Sequence, residues 1–391
     1  MSGRQRNVKY TRPTTRNEDS GAVCGAWAPR PGSVTDTPTA LVLLGRDVAI
    51  AAREYDFDAD RLSDDAVHEV GTEDGRPLRL AVRPDGEGVL CSFADSCKYF
   101  DIDPKSSTKL KASDLELPLL QGIGIQNCIR FSEDGLLLAT GGKDGHLRVF
   151  AWPTCELILD EPQAHRSIQD IDISMDSGFV ASTGEDSGCR VWGIEKRESL
   201  AHLQPEKDEK FGCCRFSRDA KQAFLFVSIT KGKRGYIGVW NMVDWSKVGA
   251  KKLANAPISS LAVARDGKSF ALGTTDGDLI IILVTKMEAT RLIGSAHSSR
   301  VTELEFSKKG RSLLSLGGDA TARITRLQKS EWKEWQLYAV LIGMMLLSAL
   351  LFLMFFESPK SDDFWKFPMG RAQPARPPPQ AVWGHSSHQE L

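Results

Sequence analysis

A repeat of 42 to 49 residues constrains the fold of this chain more than any other feature. Six segments align with one another: 78–102, 125–152, 168–194, 212–242, 258–284 and 301–327. Their equivalent turn positions are Asp85, Asp134, Asp176, Asp219, Asp266 and Lys309. Each copy has an apolar strand, a tight Asp-Gly type turn, and two further strands, and such a unit cannot bury both of its faces alone. The period is that of four-stranded propeller blades stacked around a ring.

The segments before the first aligned copy complete the ring. Residues 39–58 are apolar and strand-like, which predicts a seventh, irregular blade. We expect residues 21–29 to supply a strand that closes the ring, and residues 1–20 to be a flexible N-terminus. The predicted fold is therefore an all-β, seven-bladed propeller over residues 21–328, and a composition with 41% hydrophobic residues can fill its core.

One copy contains a group of polar side chains that resembles the WD-repeat family. Ala164-His165 precedes the copy, Asp186 lies six residues before Trp192, and Ser182 precedes both of them in the repeat. In WD-repeat proteins a His, a Ser or Thr, an Asp and a Trp form a buried hydrogen-bonded set within a blade. The resemblance implies that His165, like His297 in the last copy, is structural and not catalytic.

A second feature predicts a membrane anchor. Leu337–Phe356 is a run of twenty residues without charge or proline, which as a helix spans about 30 Å, the thickness of the hydrocarbon core of a bilayer. A buried soluble helix would be expected to have a polar face, and this run has only Tyr338 and Ser348. Aromatic residues expected to lie at the two membrane interfaces are Trp332, Trp335, Tyr338 and Trp365.

The position of this run predicts the topology. Lys and Arg are about equally frequent on its two sides, so the positive-inside rule does not decide the orientation. The N-terminus lacks the apolar core of a signal peptide, which favours a cytosolic propeller, a juxtamembrane linker at 329–336 and a lumenal, disordered, Pro-rich tail at 357–391. The tail ends in a candidate signal for retrieval to the endoplasmic reticulum (ER): His388, Gln389, Glu390 and Leu391.

Motifs for catalysis are absent from the sequence. It contains no G-x-S-x-G, H-E-x-x-H, P-loop or G-x-G-x-x-G pattern, and no Cys/His grouping with zinc spacing. The formal net charge of −1 provides no general attraction to nucleic acid. The eight cysteines favour buried free thiols, and the vicinal pair Cys213-Cys214 is the one redox alternative. We predict no catalytic residue, no metal site and no cofactor, and a protein-docking role.

The propeller and anchor together resemble a family of ER-membrane nucleotide-exchange factors that start COPII coat assembly, the Sec-twelve type. Its plant branch, the phosphate transporter traffic facilitators, is the most similar. The resemblance covers nearly the whole chain and is carried by "VCGAWAPRP" (23–31), "ILDEPQAHRSIQDIDIS" (158–174), "EWKEWQLYAVL" (331–341) and "FWKFPMGR" (364–371). It implies the ER membrane as location and phosphate transporters or other membrane cargo as partners.

The sequence departs from the exchange factors in the first blade. Active members have there a glycine-rich loop that binds potassium and presents an Asn to the Sar-type GTPase. The corresponding residues 25–50 contain neither a glycine run nor an Asn. Nucleotide exchange on that GTPase, with COPII components as partners and potassium as the ion, is therefore the alternative to a trafficking accessory. A generic WD scaffold with an incidental anchor is a third possibility.

Overall fold

A computed structural model describes residues 9–11, 17–30, 38–103, 108–219, 223–327 and 334–356. The chain divides into two compact units, Met1–Gln328 and Lys329–Leu391. The first unit contains thirty strands and a short 3₁₀ helix, Pro118–Leu120, among the described residues. The second contains the helix α1, Glu334–Phe356.

The strands of the first unit are short, and none of those described is longer than eight residues. In chain order they are β1 (Lys9–Thr11), β2 (Glu18–Ser20), β3 (Cys24–Ala28), β4 (Thr39–Gly45), β5 (Ala49–Asp56), β6 (Arg61–Leu62), β7 (His68–Gly71), β8 (Arg79–Val82), β9 (Gly88–Ser92), β10 (Cys97–Ile102), β11 (Leu110–Ala112), β12 (Gln126–Phe131), β13 (Leu137–Gly142), β14 (Leu147–Ala151), β15 (Glu156–Glu161), β16 (Ile168–Ile173), β17 (Phe179–Gly184), β18 (Cys189–Gly193), β19 (Glu198–Leu203), β20 (Glu209–Phe216), β21 (Phe224–Lys231), β22 (Arg234–Asn241), β23 (Lys247–Ala254), β24 (Ile258–Val263), β25 (Ser269–Thr274), β26 (Leu279–Leu283), β27 (Glu288–Ile293), β28 (Val301–Phe306), β29 (Ser312–Gly317) and β30 (Thr321–Arg326).

These strands form seven sheets, antiparallel except for the pairing of β1 with β27, and each sheet is one blade of a propeller. Blade 1 is β3 to β6 with β7 paired to β5, blade 2 is β8 to β11, and blade 3 is β12 to β15. Blade 4 is β16 to β19, blade 5 is β20 to β23, blade 6 is β24 to β27, and blade 7 is β28 to β30 with one strand from elsewhere. The predicted seven-bladed all-β propeller is confirmed, including the irregular first blade.

The predicted Asp turns connect the first two strands of the blades. In blade 3, Asp134 Oδ1 accepts a hydrogen bond from the backbone N of Leu136 at 3.0 Å, and Gly135 has φ of +71°. In blade 6, Asp266 Oδ1 accepts one from Lys268 N at 3.0 Å, beside Gly267 with φ of +67°. Gly adopts positive φ without a Cβ penalty, so the Asp-Gly pair fixes the same tight turn in blades 2, 3 and 6.

The core lies between neighbouring blades. Seven clusters of buried apolar side chains fill the seven blade interfaces, for example Leu43 with Val89 between blades 1 and 2, and Val149 with Ile171 between blades 3 and 4. Burial of each such side chain contributes roughly 1.5–3 kcal/mol. Because every interface joins two blades, no blade is stable by itself and the ring must close.

The ring closes differently from the sequence prediction. Strand β2 pairs antiparallel with β30, with Glu18 opposite Arg323 and Ser20 opposite Thr321, and so becomes the outer strand of blade 7. The predicted closing segment 21–29 contains instead β3, the innermost strand of blade 1. The prediction that residues 21–29 close the ring is therefore wrong, because the closing strand comes just before them.

The N-terminal segment also needs correction. Strand β1 adds a fifth strand to blade 6 by pairing in parallel with β27. Asn17 is buried and its side chain donates to the Asp60 backbone O at 3.1 Å and accepts from Leu62 N at 3.1 Å, in blade 1. The described parts of residues 1–20 are thus strands and fixed side chains, and the prediction of a flexible N-terminus does not hold for them.

The helix α1 covers the whole run for which a membrane span was predicted. Its side chains are described from Tyr338 to Leu353, and many of its apolar side chains are exposed. Judged over the described residues, no helix has both the length and the apolar character needed to cross a membrane. The transmembrane helix stays a prediction.

Candidate functional site

The four polar residues predicted in blade 4 lie together and form one hydrogen-bonded set. His165 Nδ1 lies 2.7 Å from Asp186 Oδ1, and His165 Nε2 lies 2.9 Å from Ser182 Oγ. Trp192 Nε1 donates to the same Ser182 Oγ at 3.3 Å. Burial lowers the pKa of His165 against the opposite effect of Asp186, so the imidazole is neutral at pH 7. The set ties the last residues before blade 4 to its second and third strands.

Blade 7 contains a related set around His297. Its Nδ1 lies 2.8 Å from Thr321 Oγ1 and its Nε2 lies 2.9 Å from Ser315 Oγ, while Asp319 Oδ1 accepts from Thr321 Oγ1 at 2.7 Å. Burial lowers the pKa of His297 as well. Both imidazoles bond to side chains of their own blade and neither lines the channel, so their arrangement supports a structural role.

The wall of the central channel is formed by the innermost strands β3, β8, β12, β16, β20, β24 and β28. Each of these strands has one edge without a partner in its own blade, and side chains of neighbouring blades bond to that edge. In blade 4, Asp170 accepts from Cys214 N at 3.2 Å and Asp172 accepts from Phe216 N at 2.8 Å, both in blade 5. Acidic side chains therefore join two innermost strands in place of a backbone ladder.

Glutamates join blade 7 to blade 1 in the same way. Glu303 accepts from Gly25 N at 3.3 Å, and Glu305 accepts from Trp27 N at 2.9 Å. Trp27 Nε1 in turn donates to the backbone O of Glu305 at 3.1 Å. Burial raises the pKa of Glu305 to about 7, with Glu303 adding to the increase and the Trp27 amide opposing it. Glu305 therefore titrates near neutral pH.

This pKa predicts how stability depends on pH. The folded-state pKa of Glu305 is above the ordinary value of 4.5, so folding is favoured at low pH and that contribution is lost as pH rises from 4.5 to 7. The Glu305→Gln variant removes this loss. We expect the stability of the variant relative to wild type to increase between pH 5 and pH 8, by about 1–3 kcal/mol. Urea unfolding of the full chain in detergent at both pH values measures this.

The same measurement separates Glu305 from the buried histidines. Burial lowers the pKa of His165 and His297, so their contribution to stability is present above about pH 6.5 and is lost as pH falls below it, in the opposite direction. The Glu305→Gln substitution changes neither histidine. Their contribution is therefore the same in the variant and in wild type, and it cancels when the two stabilities are subtracted. A difference between variant and wild type that is the same at pH 5 and pH 8 would contradict the assignment.

The first-blade loop connects β3 to β4, and residues 31–37 within it lie outside the described part of the chain. Its base is rigid. Trp27, Tyr55 and Phe57 form a cluster with ring centroids 5.1 to 5.8 Å apart. Arg30, at the end of β3, pairs with Glu54. The β3 end of the loop is therefore held against β5 and the residue that follows it, and the alternate spacing of Tyr55 and Phe57 is a sequence signal that could have indicated this cluster.

Reactive groups are few in the described chain. The pair Cys213-Cys214 consists of free thiols, and burial raises the pKa of Cys213 to about 12, so it is a protonated thiol and a poor nucleophile at pH 7. No group of three His, Cys, Asp or Glu side chains with a metal-binding arrangement occurs among the residues that the structure describes. The channel contains a cavity with a volume of about 470 Å³.

The other predicted sites are only partly described. Tyr338 lies in α1 and is 60% exposed, and Trp335 lies in α1 without a described side chain. The remaining predicted residues lie outside the described residues: Trp332, Trp365, His388, Gln389, Glu390 and Leu391. Their assignments as interface anchors and as a retrieval signal stay predictions.

The propeller and its blade sets define a WD-repeat protein. The family model described as WD domain, G-beta repeat, matches residues 121–150 and 155–193, in blades 3 and 4. SEC12-like protein 1 of Arabidopsis thaliana is 36% identical over 388 residues, which cover 95% of this chain and 94% of that protein. SEC12-like protein 2 of the same plant is 34% identical over 278 residues, 70% of each chain. The guanine nucleotide-exchange factor SEC12 of Rattus norvegicus is 25% identical over 256 residues, 58% of this chain and 61% of that protein.

The two Arabidopsis proteins show the particular family within this class. The similarity to the first of them extends over nearly the full length of both chains and so includes the propeller and the region after it. This chain belongs to the SEC12-like family of WD-repeat proteins.

Proposed function

We propose that this chain is an accessory of the early secretory pathway at the ER membrane, which promotes the exit of membrane cargo and most specifically of phosphate transporters. The main observation that supports this proposal is the nearly full-length similarity to a SEC12-like protein of a plant. The propeller supplies a rigid docking platform, and no catalytic motif occurs in the sequence. Cargo recognition would use the exposed blade edges and turns.

The apolar helix supports a location in the membrane. Residues 337–356 contain no charged residue, and large apolar side chains along α1 are exposed, such as Met345 at 75% and Leu346 at 65%. A surface of this kind is stable only when covered by lipid or protein. We propose that it anchors the propeller at the cytosolic face of the ER, with residues 357–391 in the lumen. Anchoring raises the effective concentration of the propeller near membrane-bound cargo.

Nucleotide exchange on the Sar-type GTPase is the second candidate. It is favoured by the relatives from rat and mouse, which are named guanine nucleotide-exchange factors. The composition of the first-blade loop favours the accessory role, because residues 25–50 contain no Asn to reach into a GTPase. Under the second candidate, potassium would be the bound ion and COPII components would follow as partners.

A nucleotide-release assay separates the two candidates. The full chain in liposomes is mixed with a Sar-type GTPase that is loaded with a fluorescent guanine nucleotide. We expect release within about twofold of the intrinsic rate, because no side chain of the exchange loop is present to lower the barrier. A rat-type SEC12 exchange factor in the same liposomes is the positive control. Acceleration by this chain of about tenfold or more, lost when sodium replaces potassium, would favour the exchange factor.

A further inference from the structure

The channel mouth has an uneven distribution of charge, which is seen when equivalent positions of the seven blades are compared. The second residue after each innermost strand lies at the end of the channel where the first and second strands of the blades connect. In four consecutive blades, 5, 6, 7 and 1, this position is cationic, with Arg218, Arg265, Lys308 and Arg30. Blade 3 has Glu133, and blades 2 and 4 have uncharged residues there. We call the four cations the cationic arc.

Neutralisation of the cationic arc is incomplete. Glu133 is shared by two members, because Arg265 reaches it from blade 6 with Nε at 2.8 Å and Arg218 Nε lies 3.8 Å away. Arg218 also pairs with Asp172, and Arg30 pairs with Glu54. The side chain of Lys308 is exposed and has no hydrogen bond or ion pair to any residue that the structure describes, and the same holds for the exposed side chain of Arg311 nearby.

Positively charged side chains also outnumber negatively charged ones along the rest of the channel lining. Eleven Arg and Lys side chains line the cavity, compared with four Asp and Glu. Four further carboxylates outside the lining pair with lining arginines: Glu54, Asp85, Glu87 and Asp172. Counted over the described residues, cations therefore exceed carboxylates around the cavity of about 470 Å³, although the chain as a whole has a formal net charge of −1. A low-dielectric concavity lined by one sign of charge concentrates its field on a bound ion.

We propose that the channel mouth, at the cationic arc, binds a small molecule that carries several phosphate groups. The guanidinium group donates in a planar fork that matches phosphate oxygens, and three of the four members of the arc are arginines. Lys308 and Arg311 supply charge that no described carboxylate balances. The volume of the cavity is that of a small-molecule site. A concave mouth surrounded by blade turns admits such a molecule more readily than it contacts a flat bilayer, and this favours a free or headgroup phosphate over a membrane surface.

Titration calorimetry with inositol hexakisphosphate tests the proposal on the full chain in detergent at low salt. The test variant is Lys308→Gln with Arg311→Gln, which removes two exposed cations without breaking any described contact. The matched control is Lys233→Gln with Lys252→Gln, an equal charge change on exposed residues of blade 5. We expect one saturable site, weakened by at least about tenfold in the test variant and by less than about twofold in the control. Binding should also weaken as salt is raised.

Two further probes assign the class and source of the ligand. Hexaglutamate represents an acidic peptide, and we expect it to bind at least about tenfold more weakly, because a carboxylate offers fewer acceptor oxygens and less charge than a phosphate. A short-chain phosphatidylinositol bisphosphate, compared with its free headgroup, shows whether the source is a lipid or a soluble phosphate. The absence of saturable binding, equal weakening in both variants, or equal affinity for hexaglutamate would overturn the proposal.

Discussion

Deletion of residues 1–20 is expected to destabilise the propeller severely. The deletion removes β2, which leaves the outer edge of β30 unpaired and the ring without its closing strand. It also removes Asp19, whose buried carboxylate lies 2.5 Å from Arg46 Nη2 and 2.6 Å from Arg53 Nε. Loss of one partner from a buried ion pair costs about 3–5 kcal/mol, before the strand itself is counted.

The measurement is thermal unfolding of the full chain and the truncated chain in the same detergent. We expect the truncation to lower the midpoint by about 10 °C or to prevent cooperative unfolding. Deletion of residues 1–8 is the matched control, because it retains both β1 and β2 and should leave the midpoint nearly unchanged. Equal midpoints for the two truncations would show that the ring does not depend on the N-terminal closure.

The second large effect is expected for Asp172→Ala. Asp172 is 1% exposed, accepts from Phe216 N at 2.8 Å, and pairs with Arg218 Nη2 at 2.9 Å. The variant leaves a backbone amide without an acceptor and a largely buried guanidinium without its nearer carboxylate. We expect a loss of about 3–5 kcal/mol in the free energy of unfolding, measured by urea titration.

Two variants make this result specific to the interface between blades 4 and 5. Asp172→Asn retains an acceptor for the Phe216 amide and removes the charge, so it should lose less than Asp172→Ala. Asp58→Ala changes an exposed aspartate that accepts no described hydrogen bond, and it should change stability by less than about 0.5 kcal/mol. A loss for Asp172→Ala as small as that for Asp58→Ala would contradict the proposed role of the channel acids.

The fold was largely predictable because its signal is periodic. Turn residues such as Asp134 and Asp266 recur at the blade spacing, and the apolar strands between them predict the same blade each time. The closing strand was not predictable in this way. Its sequence, Glu18–Ser20, has no apolar alternation, and it is held by backbone pairing and by the ion pairs of Asp19. Backbone pairing and ion pairs to distant residues produce no recognisable sequence pattern in a strand of three residues.

For the candidate sites, too, interactions within one repeat were predictable and interactions between distant residues were not. The His165 set is local, within one repeat, and the spacing of its members gave its geometry. The bonds of Asp170, Asp172 and Glu305 join residues that are 44 to 278 positions apart, so no spacing rule reveals them. A signal was nevertheless present, because acidic residues alternate with apolar ones in the innermost strands β16 and β28. Alternation of that kind places acids on the channel wall, where they are buried or half-buried and need partners.

The location of phosphate transporters in cells that lack this protein tests the central claim most directly. The account predicts that tagged transporters accumulate in the ER and that phosphate uptake falls, while other secretory cargo is delivered normally. The full chain should restore delivery, and a chain with Leu346→Arg and Leu350→Arg in the predicted anchor should not, because charged residues at the centre of a membrane span are strongly unfavourable. Normal delivery of the transporters in the deleted cells would contradict the account.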